Sequence, residues 1–183
     1  MQKRLILDSR LIDITIDRLC QQLIENHQHF SDTVLIGLQP RGIFFSRLIR
    51  QRINKLISVE LPLGYLDTTF YRDDFRRRDV PKKANETRIN FIIEDKNVIL
   101  IDDVLFTGRS VRAALDAMLA FGRPSRVELL VLVNRKYSRD LPIEPDYVGR
   151  NVNTIDSQIV RVEWREQGDK ENSMLLLNTN MKR

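Results

Sequence analysis

Two adjacent aspartates stand next to a short stretch of small and hydroxyl-bearing residues in the middle of this sequence. Asp102 and Asp103 follow the apolar run Val98–Ile101, and Thr107–Ser110 (TGRS) comes shortly after them. Carboxylates bind sugar hydroxyls and hydrated Mg²⁺, whereas small residues let the backbone and the N–H groups of a helix start close around a phosphate. The spacing therefore predicts a site for a ribose 5-phosphate.

Two other interpretations of this segment stay open. A strand, a turn and a helix with an aspartate N-cap would need only one of the two carboxylates. An aspartate pair alone is also typical of metal sites that hydrolyse phosphate esters. The first alternative leaves the second aspartate without a role, so the ribose-phosphate interpretation is preferred.

Two further segments carry cations suited to a pyrophosphate. Arg41-Gly42 stands between a predicted strand and a predicted helix, where Gly42 permits close backbone approach and Arg41 is a bidentate phosphate ligand. The segment 72–87 is too polar to pack and too long for a simple connection, which is typical of a lid. The cations of this predicted lid are Arg72, Arg76, Arg77, Arg78, Lys82 and Lys83.

Alternating strands and helices predict a parallel, doubly wound sheet that brings these segments to one edge. The predicted strands of this sheet are Thr33–Leu38, Ile57–Leu63, Asn97–Ile101, Arg126–Asn134 and Tyr147–Asn151. Helical spacing predicts three helices, the first of which is capped by Ser9. The second has Phe45, Ile49, Ile53 and Leu56 on one face. The third runs from about Thr107 to Phe121 and has a buried stripe of Val111, Leu115 and Met118.

Shorter elements are predicted outside this alternation. Arg4–Asp8 has the pattern of a strand, and Tyr65–Tyr71 with Arg88–Ile93 form the two arms of a hairpin around the lid. Val160–Trp164 and Ser173–Leu177 have the pattern of a second hairpin, near the end of the chain.

Bulk composition indicates one α/β domain over residues 1–183. The net charge of +5 favours polyanionic partners, namely phosphorylated metabolites or nucleic acid. Cys20 is the single cysteine, which excludes an intramolecular disulfide and fits the reducing cytoplasm. No apolar run has the length of a membrane span and the N-terminus lacks a signal-peptide pattern, so we expect a cytoplasmic protein with no membrane partner.

The segment Val98–Ser110 matches the signature by which type I phosphoribosyltransferases bind phosphoribosyl pyrophosphate (PRPP). More narrowly, the chain resembles the PyrR family of bifunctional pyr-operon regulators and uracil phosphoribosyltransferases, from Ile6–Asp8 to about Trp164. A large residue such as Phe106 also suits that family. The matching motifs are RGI (41–43), YRDD (71–74), DDVLFTGRSVRAALDA (102–117), GRPS (122–125), VLVNR (131–135) and LPIEPDYVGRN (141–151).

The resemblance implies the type I phosphoribosyltransferase fold and its chemistry. The expected fold has a central parallel sheet flanked by helices, a flexible hairpin flap at about 65–93, and a small hood built from the termini with a hairpin at about 160–177. The implied reaction converts uracil and PRPP to UMP and pyrophosphate with Mg²⁺ as cofactor. Transfer through an oxocarbenium-like centre needs no protein nucleophile.

The resemblance also assigns roles to individual residues. Asp102, Asp103 and Arg72 are the expected catalytic residues, and the two aspartates hold the metal indirectly, through water or PRPP. Val133, Asn134 and Arg135 are expected near uracil, on grounds of topology. The expected PRPP and UMP ligands are Arg41, Gly42, Asp102, Asp103, Val104, Leu105, Phe106, Thr107, Gly108, Arg109 and Ser110.

A second activity is implied by the same resemblance. In PyrR relatives a basic face of the dimer that includes the first helix binds pyr leader messenger RNA, under control of uridine nucleotides. Asp13, Asp17 and Glu144 argue against that face here, because phosphate neutralisation dominates RNA binding. The alternatives are therefore an RNA-binding attenuator with little or no catalysis, and a phosphoribosyltransferase for another base. A homo-oligomer is expected, and the candidate RNA contacts are Arg18, Arg139 and Arg150.

Overall fold

A computed structural model describes residues 3–73 and 84–178 of the chain. In that part, no helix combines the length and the apolar character needed to cross a membrane. The strands are β1 (Lys3–Leu7), β2 (Thr33–Leu38), β3 (Leu63–Leu66), β4 (Asn97–Leu105), β5 (Arg126–Lys136), β6 (Tyr147–Asn153), β7 (Gln158–Glu163) and β8 (Ser173–Asn178), and the helices are α1 (Ser9–His27), α2 (Gly42–Ile57) and α3 (Arg109–Met118).

Five parallel strands form the central sheet in the order β3-β2-β4-β5-β6. Alternate residues of each strand face opposite sides, so Leu35 and Ile99 join the core with α1 and α2, while Ile36 and Leu100 join the core with α3. A sheet covered on both faces explains the nearly continuous apolar runs in β2, β4 and β5. The predicted parallel sheet flanked by helices is confirmed.

A smaller antiparallel sheet, in the order β1-β8-β7, is built from both ends of the chain. This is the predicted hood. Its underside shares a core with α2, where Trp164 lies parallel to Phe45 with ring centroids 6.1 Å apart. Trp164 and Phe45 are both fully buried, so the hood is fixed to the main sheet by apolar packing.

One predicted strand of the central sheet is wrong. Ile57 is the last residue of α2, and the strand begins only at Leu63. The apolar Leu61 is buried in between, where its backbone is tied to α2 by Asn54 Oδ1 at 3.2 Å and by Arg50 Nε at 2.7 Å. These side chain to backbone bonds make the segment an extension of the helix packing, which apolar periodicity does not reveal.

Details of two helices also differ from the prediction. Asp8, rather than Ser9, caps α1, because its carboxylate accepts the Leu11 N–H at 2.8 Å. The third helix is shorter than 107–121: α3 covers Arg109–Met118 and a 3₁₀ turn follows at Leu119–Phe121. Leu115 is 37% exposed, and the buried face of α3 is completed by alanines instead.

The predicted hairpin around the lid has only a short paired region. Tyr65 forms a single antiparallel bridge with Arg88, and Thr69–Tyr71 is a 3₁₀ turn rather than a strand. Asp67 organises the base of this segment, because its carboxylate accepts the Thr69 N–H at 2.7 Å and also binds the Asn85 N–H. A polar cap of this kind replaces the ladder that the arms were predicted to form.

We expect Trp164→Ala to lower the free energy of unfolding by about 3–5 kcal/mol, because it leaves a cavity between the hood and α2. Chemical denaturation measures this change. Tyr137→Ala, at a side chain that is 88% exposed, is the control and should change stability by less than about 0.5 kcal/mol. Equal effects of the two substitutions would show that the hood is not fixed through Trp164.

Candidate active site

The aspartate pair lies at the point where β4 loses one of its two neighbours. Pairing of β4 with β2 ends at Gly37 and Ile101, whereas pairing with β5 continues through Asp102 and Val131. The strand was predicted to end at Ile101, but it continues to Leu105 on the strength of that second ladder. The two carboxylates are therefore held on a regular strand beside an open edge.

Burial and mutual repulsion control the charge of this pair. Asp103 is only 5% exposed, and its N–H donates to Asp102 Oδ1 at 2.9 Å. Burial and the charge of Asp103 raise the pKa of Asp102 well above its usual value. Burial also raises the pKa of Asp103, although the Arg41 guanidinium opposes that change. Asp102 is thus the member of the pair that more readily holds a proton.

Arg41 and Gly42 connect this pair to the hood. Arg41 Nε donates to Asp103 Oδ2 at 3.1 Å, and its Nη2 donates to the Val162 carbonyl of β7. A Cβ on Gly42 would lie 2.5 Å from the Ile101 carbonyl oxygen and 3.0 Å from Asp102 Cα. Glycine is required here because α2 begins against the backbone of β4.

The loop after β4 has the geometry of an anion cradle. Gly108 adopts φ +89°, a left-handed conformation that other residues rarely adopt, and α3 begins directly after it. Thr107 Oγ1 accepts the Arg109 N–H at 3.4 Å. In the described part of the chain, no hydrogen bond reaches the N–H groups of Thr107 or Gly108. These N–H groups are therefore open to a ligand at the helix start.

The first residues of the lid dock onto this cradle. Arg72 Nη1 lies 2.5 Å from Ser110 Oγ, and Asp73 forms an ion pair with Arg109. The structure thus brings Arg72 next to Arg109 and Ser110, although Arg72 is far from both in the sequence. The other predicted lid cations, Arg76, Arg77, Arg78, Lys82 and Lys83, lie outside the described residues.

Val133, Asn134 and Arg135 lie buried at the carboxyl end of β5, beside the cradle. The guanidinium carbon of Arg135 lies over the Phe106 ring, 3.8 Å from the ring centroid. Burial lowers the pKa of the Arg135 guanidinium. It donates to Thr154 Oγ1 at 3.1 Å and to the Gln158 carbonyl at 2.9 Å. The Arg135 side chain is thus committed to protein contacts, and β5 extends past the end of its ladder with β4, which stops at Asn134.

The three candidate RNA contacts lie in different surroundings. Arg18 donates to the Val148 and Gly149 carbonyls at the edge of β6, and Arg139 lies behind the cradle. Arg150 is exposed on β6.

The acidic residues Asp13 and Asp17, which argued against an RNA face, both pair with Arg52 of α2. Their charge is therefore partly neutralised within the protein.

Two site residues escape detection by sequence patterns. Asp67 caps the base of the lid, and the signal for it is an Asx turn in Asp67-Thr68-Thr69. The buried indole N–H of Trp164 has no partner within hydrogen-bond distance among the described residues, but it lies close enough to Asp103 to oppose the rise in the pKa of that carboxyl. No local pattern could place Trp164 there, because it comes from the far end of the chain.

Comparison with known proteins agrees with this geometry. Residues 4–167 match the family model of the phosphoribosyl transferase domain. The hypoxanthine phosphoribosyltransferase of Trypanosoma cruzi superposes with a TM-score of 0.73 at 13% identity, over 97% of both chains. That of Staphylococcus aureus gives 0.68 at 20% identity, over 96% of this chain and 91% of the other. The chain has the fold and the domain of a phosphoribosyltransferase.

Relatives that are similar in sequence identify the family within the phosphoribosyltransferases. The bifunctional protein PyrR of Oceanobacillus iheyensis is 45% identical over 93% of this chain and 95% of its own length. That of Haemophilus ducreyi is 42% identical over 97% of this chain and 99% of its own. The chain belongs to the PyrR family.

We expect Asp102→Asn to stabilise the ligand-free protein by about 0.5–2 kcal/mol near neutral pH. Because the pKa of Asp102 is raised by folding, ionisation opposes folding, so stability falls as pH rises from about 4 through the raised pKa. The gain should therefore be full above that pKa and absent near pH 4. Urea unfolding at several pH values measures it.

The control for this experiment is Asp116→Asn, an exposed carboxylate paired with Arg112 on α3. It should show no such pH-dependent gain. A loss of stability in Asp102→Asn at neutral pH would contradict the assignment of a destabilising buried charge.

Proposed function

We propose that this chain is a uracil phosphoribosyltransferase that converts uracil and PRPP to UMP and pyrophosphate. The observation that carries the proposal is the Asp102-Asp103 pair, half-buried at Asp102 and buried at Asp103, close to the open N–H groups of Thr107 and Gly108. The pair suits the ribose hydroxyls, and the N–H groups suit the 5′-phosphate. Membership of the PyrR family supports uracil as the base.

Binding of PRPP would rearrange the ion pair between Arg41 and Asp103. The Arg41 side chain is 33% exposed and Asp103 is 7% exposed, so Arg41 is the partner that can turn toward a ligand. Its guanidinium would then bind the pyrophosphate, and Asp103 would accept hydrogen bonds from the ribose. This exchange keeps both buried charges partnered before and after binding.

The donor set fits Mg²⁺ carried with PRPP. The described residues contain no group of three or more His, Cys, Asp or Glu side chains that could hold a metal. Asp102 and Asp103 alone match the preference of Mg²⁺ for one or two carboxylates together with water and phosphate oxygens. When bound, the ion neutralises charge on the departing pyrophosphate.

The protein's own contribution is positioning and charge. No nucleophile is required for transfer through an oxocarbenium-like centre, so the residues hold uracil N1 against ribose C1. The carboxylates balance positive charge on the sugar, and Arg41 and Arg72 stabilise the leaving group. The lid, of which residues 72–73 and 84–87 are described, would exclude water that otherwise hydrolyses PRPP.

Uracil is placed at the carboxyl end of β5. The Asn134 amide is occupied by Asn151 at 3.0 Å and by Arg139 at 2.5 Å, and the Arg135 side chain is occupied as well. In this proposal the base is recognised by backbone groups beyond the end of the β4 ladder, near Arg135 and Lys136. A phosphoribosyltransferase for another base is the alternative at this position.

Regulation through RNA is the second candidate function, and the partial neutralisation of Asp13 and Asp17 by Arg52 weakens the objection to it. Those carboxylates were the main argument against a basic RNA face. Arg150 and Arg4 line one cleft between β6 and the hood and present two cations to a phosphate backbone. UMP or UTP would act as the effector at the PRPP site.

The remaining features of the proposal concern the state of the protein in the cell. We infer one phosphoribosyltransferase domain over residues 1–183, assembled as a homo-oligomer of two or more copies. A cytoplasmic location agrees with Cys20, which is a buried free thiol.

Replacement of both carboxylates in Asp102→Ala/Asp103→Ala should reduce UMP formation by at least about 100-fold while the fold is retained. The measurement is a panel of pyrimidine and purine bases with PRPP and Mg²⁺, on the native and the variant protein. Asp116→Ala on the outer face of α3 is the control. Unchanged turnover in the double variant contradicts the site, whereas activity with a purine alone contradicts only the base.

Binding of pyr leader RNA should weaken with salt, and Arg150→Ala should reduce the slope of log K against log salt by about one. Filter binding over a salt series measures both. Arg161→Ala, an exposed cation on β7, is the control. Absence of binding, or a response that is flat with salt, would remove the regulatory function.

A further inference from the structure

The segment Arg139–Leu141 lies behind the cradle and binds its carbonyl groups. Arg139 Nη1 donates to the Phe106 carbonyl. The backbone N–H groups of Asp140 and Leu141 donate to the Thr107 carbonyl at 3.1 and 3.3 Å. Three donors from one short segment therefore hold two successive carbonyls of the loop that follows β4.

Holding these carbonyls also orients the N–H groups of the cradle. A trans peptide is planar, with its C=O and N–H pointing in opposite directions. The Phe106 carbonyl shares a peptide with the Thr107 N–H, and the Thr107 carbonyl shares one with the Gly108 N–H. Carbonyls bound from behind thus turn both N–H groups to the front of the loop, where they have no partner within the described chain.

We propose that Arg139 is a positioning residue that orients the Thr107 N–H toward the 5′-phosphate of PRPP and UMP. This inference rests on the proposed function of the site. It gives Arg139 a role in the cradle rather than in contact with RNA, and it identifies the phosphoryl group as the part of the substrate whose binding depends on Arg139.

Among the three donors, only that of Arg139 depends on a side chain. Asp140 and Leu141 donate from the backbone, so substitutions there leave their bonds in place. The Arg139 guanidinium is fixed in turn by Asn134 Oδ1 at 2.5 Å, and Asn134 is fixed by Asn151 of β6 at 3.0 Å. This chain of hydrogen bonds ties the cradle to the central sheet.

Packing leaves Arg139 little freedom to serve another partner. Its Cδ lies 3.6 Å from the position that a Cβ on Gly108 would occupy, and Ile143 lies on the same side. Its Nε is buried and makes no hydrogen bond among the described residues. The half-buried Arg139 side chain thus packs against the loop that it supports, whereas Arg150 is exposed on β6.

The test compares Arg139→Met with Arg139→Lys. Loss of the guanidinium should raise the KM for PRPP and weaken the binding of UMP about 10- to 100-fold. The reason is that the Thr107 N–H is no longer held in position to donate a hydrogen bond to the charged phosphate. The KM for uracil and the affinity for uridine, which lacks the phosphate, should change by no more than about twofold. The ³¹P resonance of bound UMP should also shift, and lysine, which keeps a donor, should restore most of the affinity.

Arg10→Met is the matched control, since Arg10 is exposed in the first turn of α1. Equal weakening of UMP and uridine in Arg139→Met, or no change in either, would overturn the inference. Loss of RNA binding with an unchanged affinity for UMP would overturn it as well. If Arg139→Met does not fold, Arg139→Gln takes its place: a loss of affinity that is larger for UMP than for uridine supports the inference, and an equal change in both, or no change, refutes it.

The proposed function is judged separately from this inference. Native activity with uracil and its loss in Asp102→Ala/Asp103→Ala leave the phosphoribosyltransferase assignment intact, whatever Arg139 does.

Discussion

Two like charges buried side by side on a strand cost on the order of several kcal/mol unless a partner compensates them. Asp102 and Asp103 are such a pair, and the surrounding structure supplies a cation that partly compensates this cost. Arg41 reaches Asp103 from the start of α2, and the same arginine holds the Val162 carbonyl of the hood. One arginine thus compensates the more deeply buried carboxylate and also joins the aspartate pair to the hood.

The cradle beside this pair depends on backbone geometry rather than on side-chain charge. Gly108 supplies the left-handed turn, and the carbonyls of Phe106 and Thr107 are held from behind by residues 139–141. An anion site made of N–H groups is useful only if these are fixed before the ligand arrives, because ordering them on binding would cost affinity. The contacts from a distant loop provide that rigidity.

The same distribution of contacts changes how surface charge should be interpreted. Asp13 and Asp17 look unfavourable for RNA in a linear sequence, but Arg52 of α2 pairs with both. Arg18 and Arg139, in contrast, look available but donate to backbone carbonyls. The net charge of a surface is therefore a poor guide to whether it binds RNA when its charged side chains are already paired within the protein.

Apolar periodicity and turn chemistry are local signals, and they were enough to predict the parallel sheet and the aspartate pair next to the TGRS turn. The hood was expected from the family resemblance, because its strands come from both ends of the chain. The local signals misplaced β3 and the end of β4, since these depend on Asn54 and Arg50 binding Leu61 and on the ladder with β5. The fold alone sets three contacts: Arg41 pairs with Asp103, Trp164 lies close to Asp103, and Arg139 binds the Phe106 carbonyl. Each of these contacts joins segments far apart in the chain, and no local pattern encodes which distant side chain will neutralise a buried charge or bind a particular carbonyl.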